Sequence, residues 1–370
     1  MFTSAGQRYL GAVIGSSTFK EDYMKSKVSK WCDELANLSE IAKSQPHAAF
    51  SAYLHGQQHK YSYFAQTICD ISTCFKPLDD MITNVFIPAL TGFSVNESER
   101  KLLSLPVKNG GMGLKVVSNE TDTEYSRSKE ISAPLAAIIA LQGSDLPCQQ
   151  AVASIKAQVK AQKNILLQNK ITECDSDMDN LTLRTIQQTR EPGASNWLSA
   201  LPLQRHHLDL NKSEFRDAIA LRYSKRLPDM PTVCPCGEPF EVNHAMNCKR
   251  GGFVSARHDC IRDFEEKLLS QVCIDVESEP HLQPLSNEQL SAGANTSAEA
   301  RLDLRARGFW RRGQNAFFDV RVTNANSNSQ VGLSLNSTLK KHEQEKKRQY
   351  NERVMQIETG TFTPLVFSTV

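Results

Sequence analysis

Arg301-Leu302-Asp303-Leu304-Arg305-Ala306 and, beyond a glycine-bounded turn, Ala316-Phe317-Phe318-Asp319-Val320-Arg321-Val322 decide how this chain folds. In the first stretch leucine and alanine alternate with charged residues, which is the period of a strand with one buried face. The second is more apolar and suits the middle of a sheet. Residues 308–313, with Phe309 and Trp310, supply the hairpin turn between them. Each strand then carries one aspartate, Asp303 and Asp319. An acid inside Phe-Phe-Asp-Val is costly to bury unless something binds it; the alternative is a surface acid held by an arginine.

Outward from this hairpin, 274–279 also alternates and Pro280 stops it, giving a further strand that ends in Glu279. An amphipathic helix over 257–273 precedes it, with Ile261, Phe264, Leu268 and Val272 expected inward. A lysine-rich helix over 337–355 follows. On it Lys340, Lys347 and Val354 lie seven apart, and Tyr350 stands one turn beyond Lys347, so these share a face.

The order of these pieces suits metal-assisted cleavage of a phosphodiester, which needs carboxylates to hold Mg²⁺ and a metal-polarised water. Asp303 and Asp319 fit the magnesium role, and Glu279 completes the catalytic set. A lysine is also wanted, to orient the water or offset developing charge. Arg321 stands two residues after Asp319 where such a lysine would be looked for, so Lys347 is expected to supply it, in preference to Lys340, Lys341 and Lys346. The plain alternative for Lys346, Lys347 and Arg348 is a solvated face paired with Glu343. Net charge is only +2, yet arginine and lysine crowd the last seventy residues, and a basic face of that kind is what phosphate binding requires. Arg257, His258, Arg301, Arg321, Lys340, Lys341, Lys346 and Tyr350 are the expected nucleic-acid contacts.

Directly upstream, Cys234-Pro235-Cys236 is followed by seven residues to His244 and three more to Cys248. Three thiols and an imidazole suit tetrahedral Zn²⁺, which would replace the core that so small a segment cannot build. A single residue between Cys234 and Cys236 is tighter than the usual spacing; the alternative is buried thiols beside a surface histidine. With no open position or general base evident, the expected zinc is structural.

The rest of the chain is mainly helical. Residues 7–15 form a β-rich run that resembles the tail of a larger domain. Val28, Trp31, Leu35, Leu38 and Ile41 mark one helix that breaks at Gln45-Pro46, and shorter helices are expected over 48–54, 61–69 and 78–87. Residues 105–114 are a turn-dense structural loop. A polar helix follows over 149–168, then an exposed acidic stretch over 173–179. Residues 197–203 should pack as an apolar plug, and Ser213 is placed to cap a helix carrying Phe215, Ile219 and Tyr223. Ten cysteines without a hydrophobic leader suit reduced thiols, so a nuclear or cytoplasmic location is expected rather than secretion. No apolar run approaches the ~20 residues of a membrane span.

These motifs in this order resemble the reverse transcriptase polyproteins of site-specific non-LTR retrotransposons that carry a C-terminal restriction-like endonuclease. The resemblance rests on Cys234 to Cys248, Arg257-His258-Asp259, Glu279-Pro280, Arg301-Leu302-Asp303, Asp319, and Lys347 to Tyr350. It extends more weakly to Tyr9-Leu10-Gly11 and to Leu105-Pro106 through Gly113. Leu302 stands where the family has proline, and fifteen residues separate Asp303 from Asp319, slightly more than the family pattern. No Tyr-x-Asp-Asp polymerase motif occurs.

The resemblance implies an α+β multidomain protein: a mostly helical N-terminal arm, a small zinc knuckle, and a C-terminal restriction-endonuclease-like α/β domain with a mixed sheet. The expected divisions are a remnant of polymerase palm strands (1–16), a helical thumb and connection region (17–192), a helical linker (193–232), the knuckle (233–250) and the endonuclease (251–370). It further implies a Mg²⁺-dependent enzyme that nicks a DNA target, leaving a 3′ hydroxyl that primes reverse transcription, with element RNA as a further candidate partner. No membrane and no small-molecule cofactor are expected. The competing expectation is a nucleic-acid-binding remnant that has lost the cut.

Overall fold

In the computed structural model, which describes residues 5–327, 329–330 and 332–369, the chain is an α+β protein that divides into two units at Leu227 and Pro228. The first four residues of the expected 1–16 segment lie outside the described residues.

The first unit opens with an antiparallel hairpin, β1 (Gly6–Tyr9) and β2 (Ala12–Gly15). Helices α1 (Ser17–Ala42), α2 (Pro46–Ala52), α3 (Gln58–Thr67), α4 (Lys76–Met81), α5 (Ile87–Thr91) and α6 (Glu97–Ser104) follow. The long α7 (Val117–Ala140) and α8 (Gln149–Ser176) come next, then α9 (Asn180–Thr189), α10 (Asn196–Ser199) and α11 (Lys212–Arg222). Trp31 anchors the core, its ring meeting Tyr61, Phe64 and Phe75 with centroids 5.2–6.2 Å apart. The stripe of α1 runs through Met24, Val28, Trp31, Leu35, Ser39 and Ala42. Ile41, expected inward, is exposed, because the four-residue step from Leu35 leads to Ser39.

Three further expectations change here. Helix α8 runs on to Ser176 and takes in part of the acidic stretch, where Asp175 grips Arg190 through two bonds of 2.6 and 2.8 Å. Asn211, not Ser213, caps α11: its side chain accepts from Glu214 N while Glu214 returns a bond to Asn211 N. Of the apolar plug, Leu198 is buried but Leu201 and Leu203 are exposed. The 105–114 loop is fastened, with Arg222 donating to the carbonyls of Val107 and Gly111 and Tyr223 to that of Gly110. A side chain at Gly111 would place its Cβ 2.0 Å from the Leu105 carbonyl oxygen. Close backbone approach, rather than an unusual torsion, therefore requires that glycine.

The second unit holds a short helix α12 (Val242–Ala245), then α13 (Phe253–Leu269), β3 (Ile274–Ser278), β4 (Leu304–Arg307), β5 (Asn315–Thr323), α14 (Leu335–Gln356) and β6 (Thr361–Ser368). The sheet order is β3-β4-β5-β6, antiparallel except for the parallel β5–β6 pair. The sheet is thus small and mixed, with β5 inside it. Its faces bury separate apolar clusters: Phe317 packs with Leu282, Leu302, Val354 and Phe362, while its neighbour Phe318 packs with Leu269, Leu304 and Ala306.

Leu302 and Leu304, two residues apart, therefore serve opposite faces. The regular alternation of the sequence breaks at Asp303. On α13 the expected inward stripe is also out of phase. Phe264, Leu268 and Val272 are exposed, Leu269 is buried, and the helix ends there, because Leu269 is the residue that docks on the sheet. No helix among the described residues is long and apolar enough to cross a membrane, and all ten cysteines are free thiols.

Candidate metal centre and carboxylate site

A tight turn sets the first half of the cysteine and histidine group, closed by Gly237 N donating to Cys234 O (2.8 Å) and flanked by the Val233–Pro239 bridge. Helix α12 and its continuation set the second half, since Cys248 N donates to His244 O at 2.9 Å. The donor atoms of Cys234, Cys236, His244 and Cys248 all lie within 4.8 Å of one another, a set that could hold a metal ion. Cys234 Sγ and Cys248 Sγ are 3.8 Å apart, and Cys236 Sγ is 3.2 Å from His244 Nε2. Burial works to raise the Cys248 thiol, but the backbone N–H groups of Gly251 and Arg250 together with the neighbouring thiols outweigh it and bring the group to about 7. Three soft sulfurs and one part-buried imidazole at this spacing suit a borderline-soft cation in a closed tetrahedral shell. The single-residue spacing of Cys234 and Cys236 does not prevent convergence.

The carboxylates meet differently. Asp303 stands where the β4 alternation breaks, its Oδ2 accepting from Val320 N at 2.6 Å, immediately beside Asp319 on the neighbouring strand. His258, from α13, brings Nε2 to 3.4 Å from the same oxygen. Contact with Asp303, helped by Asp259 and opposed by burial, lifts the His258 imidazole to about 9, so it is a cation at neutral pH. Asp319 is buried, with Oδ2 2.6 Å from Lys346 Nζ. Burial raises the Asp319 carboxyl, Lys346 opposes that rise, and the charge of Asp303 adds to it. The result is two neighbouring acids flanked by a cation on each side.

Other expected residues fall elsewhere. Lys347 is half exposed and pairs with Glu343 on its own helix at 2.5 Å, so Lys346, not Lys347, reaches the acids. Its ammonium also lies over the Tyr350 ring at 5.7 Å. Glu279 takes Arg262 at 2.6 Å and Arg301 at 3.4 Å, and its backbone N–H donates to Asp303 O. It sits at φ 51°, a left-handed conformation uncommon outside glycine. Its carboxylate does not join the aspartates: among the described residues, the cysteine and histidine set is the only group of three or more such ligands within 4.8 Å. Lys340 and Lys341 are exposed. Arg262 is not among the expected residues, although its place one turn beyond His258 on the same helix is visible in the sequence.

Beside the acids opens a cleft of about 660 Å³, lined on the basic side by Lys249, Arg257, His258, Arg321 and Lys346, with Asp259 its one acid. Arg257 ties the walls together, donating to Met246 O at 2.8 Å and Val322 O at 3.4 Å. Compared with known proteins, the chain matches no protein-family model and no curated protein.

Proposed function

We propose that the 228–370 unit is a metal-dependent nuclease that nicks DNA, carried by a protein similar to the C-terminal part of a non-LTR retrotransposon reverse transcriptase. The observation that supports it best is the pairing of two neighbouring acids, one of them buried, with two cations at the edge of a basic cleft. A buried acid such as Asp319, its carboxyl raised by burial and set beside a cleft, is a candidate functional group on physical grounds. The Cys234, Cys236, His244 and Cys248 set takes structural zinc in this reading, its all-sulfur-and-imidazole chemistry excluding magnesium.

Asp303 and Asp319 fit Mg²⁺, which keeps several waters and needs only one or two carboxylates besides the phosphate. When bound, the ion supplies a polarised water and a Lewis acid at the phosphoryl oxygen. The protein does the rest. Lys346 opposes the rise that burial gives the Asp319 carboxyl and stands ready to offset charge at phosphorus. His258 holds Asp303 through its protonated ring. Arg257, Arg321 and Lys249 give the cleft the positive lining that draws in a phosphate backbone.

The second reading, a nucleic-acid-binding protein without the cut, is favoured by one observation. Glu279 is committed to two arginines, and each aspartate already has a cation of its own. Incubation of the purified chain with supercoiled plasmid and Mg²⁺ separates the two. Nicking that disappears in both Asp303→Ala and Asp319→Ala supports the enzyme; plasmid that stays supercoiled, or nicking that survives both changes, rejects it.

A further inference from the structure

The loop joining β4 to β5, residues 308–314, holds side chains that neither the acids nor the metal group uses. Gly308 and Gly313 adopt left-handed torsions, and Gly308 N donates to Gln314 O at 2.9 Å, closing the loop at its foot. Inside it Phe309 turns back onto the sheet, its ring edge-on to Phe318 with centroids 5.2 Å apart. Trp310 stands edge-on to Phe309 at 4.8 Å and donates its one polar hydrogen to Thr363 Oγ1 at 3.2 Å. The indole is thus fixed at its rim by a hydrogen bond and a second ring, yet it remains 59% exposed. A tryptophan needed only to cover the apolar cluster at Phe318 would bury more of its surface.

Arg311 and Arg312 follow directly, both exposed, and neither forms an ion pair among the described residues. The loop contains no acid. A rigid aromatic face beside two uncompensated guanidinium groups complements one partner chemistry: a base to stack on the ring and phosphates for the arginines. A duplex keeps its bases stacked on each other, so the ring favours a strand with unpaired bases.

We infer that the Phe309-Trp310-Arg311-Arg312 loop is a stacking platform for single-stranded nucleic acid. It is a separate contact from the cleft. The loop lies at the Asn315 end of β5, whereas the cleft gathers around Val320 to Asn324, and at ~3.3 Å per residue the eight steps from Asn315 to Thr323 set the two ends of that strand ~26 Å apart. The inference rests on reading this unit as a nucleic-acid-binding domain, but not on its cutting DNA.

The test is binding of a short fluorescein-labelled single-stranded oligonucleotide to the full chain, followed by anisotropy, beside the same sequence as a duplex. Trp310→Ala should weaken single-strand binding about 5- to 150-fold, the loss expected for one stacked base. Trp310→Phe should keep most of the affinity, and Arg311→Ala with Arg312→Ala should weaken binding and flatten its dependence on salt. Circular dichroism checks that each variant remains folded, which exposed positions favour. Single-strand binding equal to wild type in Trp310→Ala overturns the platform, even if the plasmid is nicked. Trp310-dependent binding in a chain that fails to nick keeps the platform and removes the nuclease. Binding that requires Trp310 only on vesicles of phosphatidylserine and phosphatidylcholine, and not on the oligonucleotide, overturns it in favour of a membrane surface.

Discussion

Lys346 Nζ lies 2.6 Å from Asp319 Oδ2 and so joins α14 to the inner strand β5, while the adjacent Lys347 turns to Glu343 on its own helix. Two neighbouring lysines therefore have unlike roles.

Replacing each by alanine should expose that difference. Lys346→Ala leaves Asp319 buried without a partner and should cost about 2–4 kcal/mol of stability in urea unfolding. Lys347→Ala removes a half-exposed pair and should cost about 0.5 kcal/mol or less. Nicking should vanish in the first and persist in the second. Equal losses would show that Lys346 has no special tie to Asp319.

Cys248→Ser and Cys234→Ser should each lower bound zinc from one ion per chain toward none, measured by elemental analysis after gel filtration. A strong chelator should make 228–250 an early site of proteolysis in the wild type, because a metal held there would link its binding to local folding. Unchanged zinc content in both variants would reassign the cluster to plain buried thiols.

His47 gives the chain an acid sensitivity. It is buried, its Nδ1 accepts from Leu210 N at 3.1 Å, and burial lowers its pKa despite the charge of Asp209. The unfolded chain then binds a proton at higher pH than the folded one, so this group leaves stability intact above its ordinary value near ~6.5 and erodes it as pH falls below. The urea midpoint should drop between neutral and mildly acid pH, and His47→Gln should flatten that drop. A slope that is identical in the variant would assign the sensitivity to other groups.

Gly111→Ala should destabilise the first unit by about 2 kcal/mol or more, since the added carbon meets a carbonyl oxygen that cannot yield without moving the loop. Gly56, in the helical turn Tyr53–Gln57, has open space at the same position, and Gly56→Ala should be neutral or slightly stabilising. Thermal unfolding compares them directly; similar melting temperatures would mean that the 105–114 loop is looser than its hydrogen bonds imply.

Much of the second unit was legible because its signals are local. The cysteine and histidine spacing, the Asp303 and Asp319 strands and the turn between them all announce themselves within a few residues. β6 did not, because Pro364 within Thr361–Ser368 argues against an inner strand; as an edge strand parallel to β5 it can carry a proline. Helix α7 was hidden by its serine and threonine content and by Pro134. A seven-residue repeat singles out the face of Lys340, Lys347 and Val354, which favours Lys347 over Lys346. The face that packs inward steps by four, through Thr338, His342, Lys346, Tyr350 and Val354. Partner choice was the least legible: that Glu279 faces Arg262 and Arg301, and Asp303 faces His258, depends on a break in strand alternation that no periodicity announces.

The helical segment that carries His244 and Cys248 is wired to the cleft at two points: Arg257 donates to Met246 O, and Asn324 Nδ2 donates to Asn243 Oδ1 at 2.6 Å. The metal group that includes His244 and Cys248 of that segment contains three thiols open to oxidation chemistry. Oxidation there would loosen one wall of the cleft while the sheet behind it still stood, so the chain would look native by spectroscopy with its cleft reshaped.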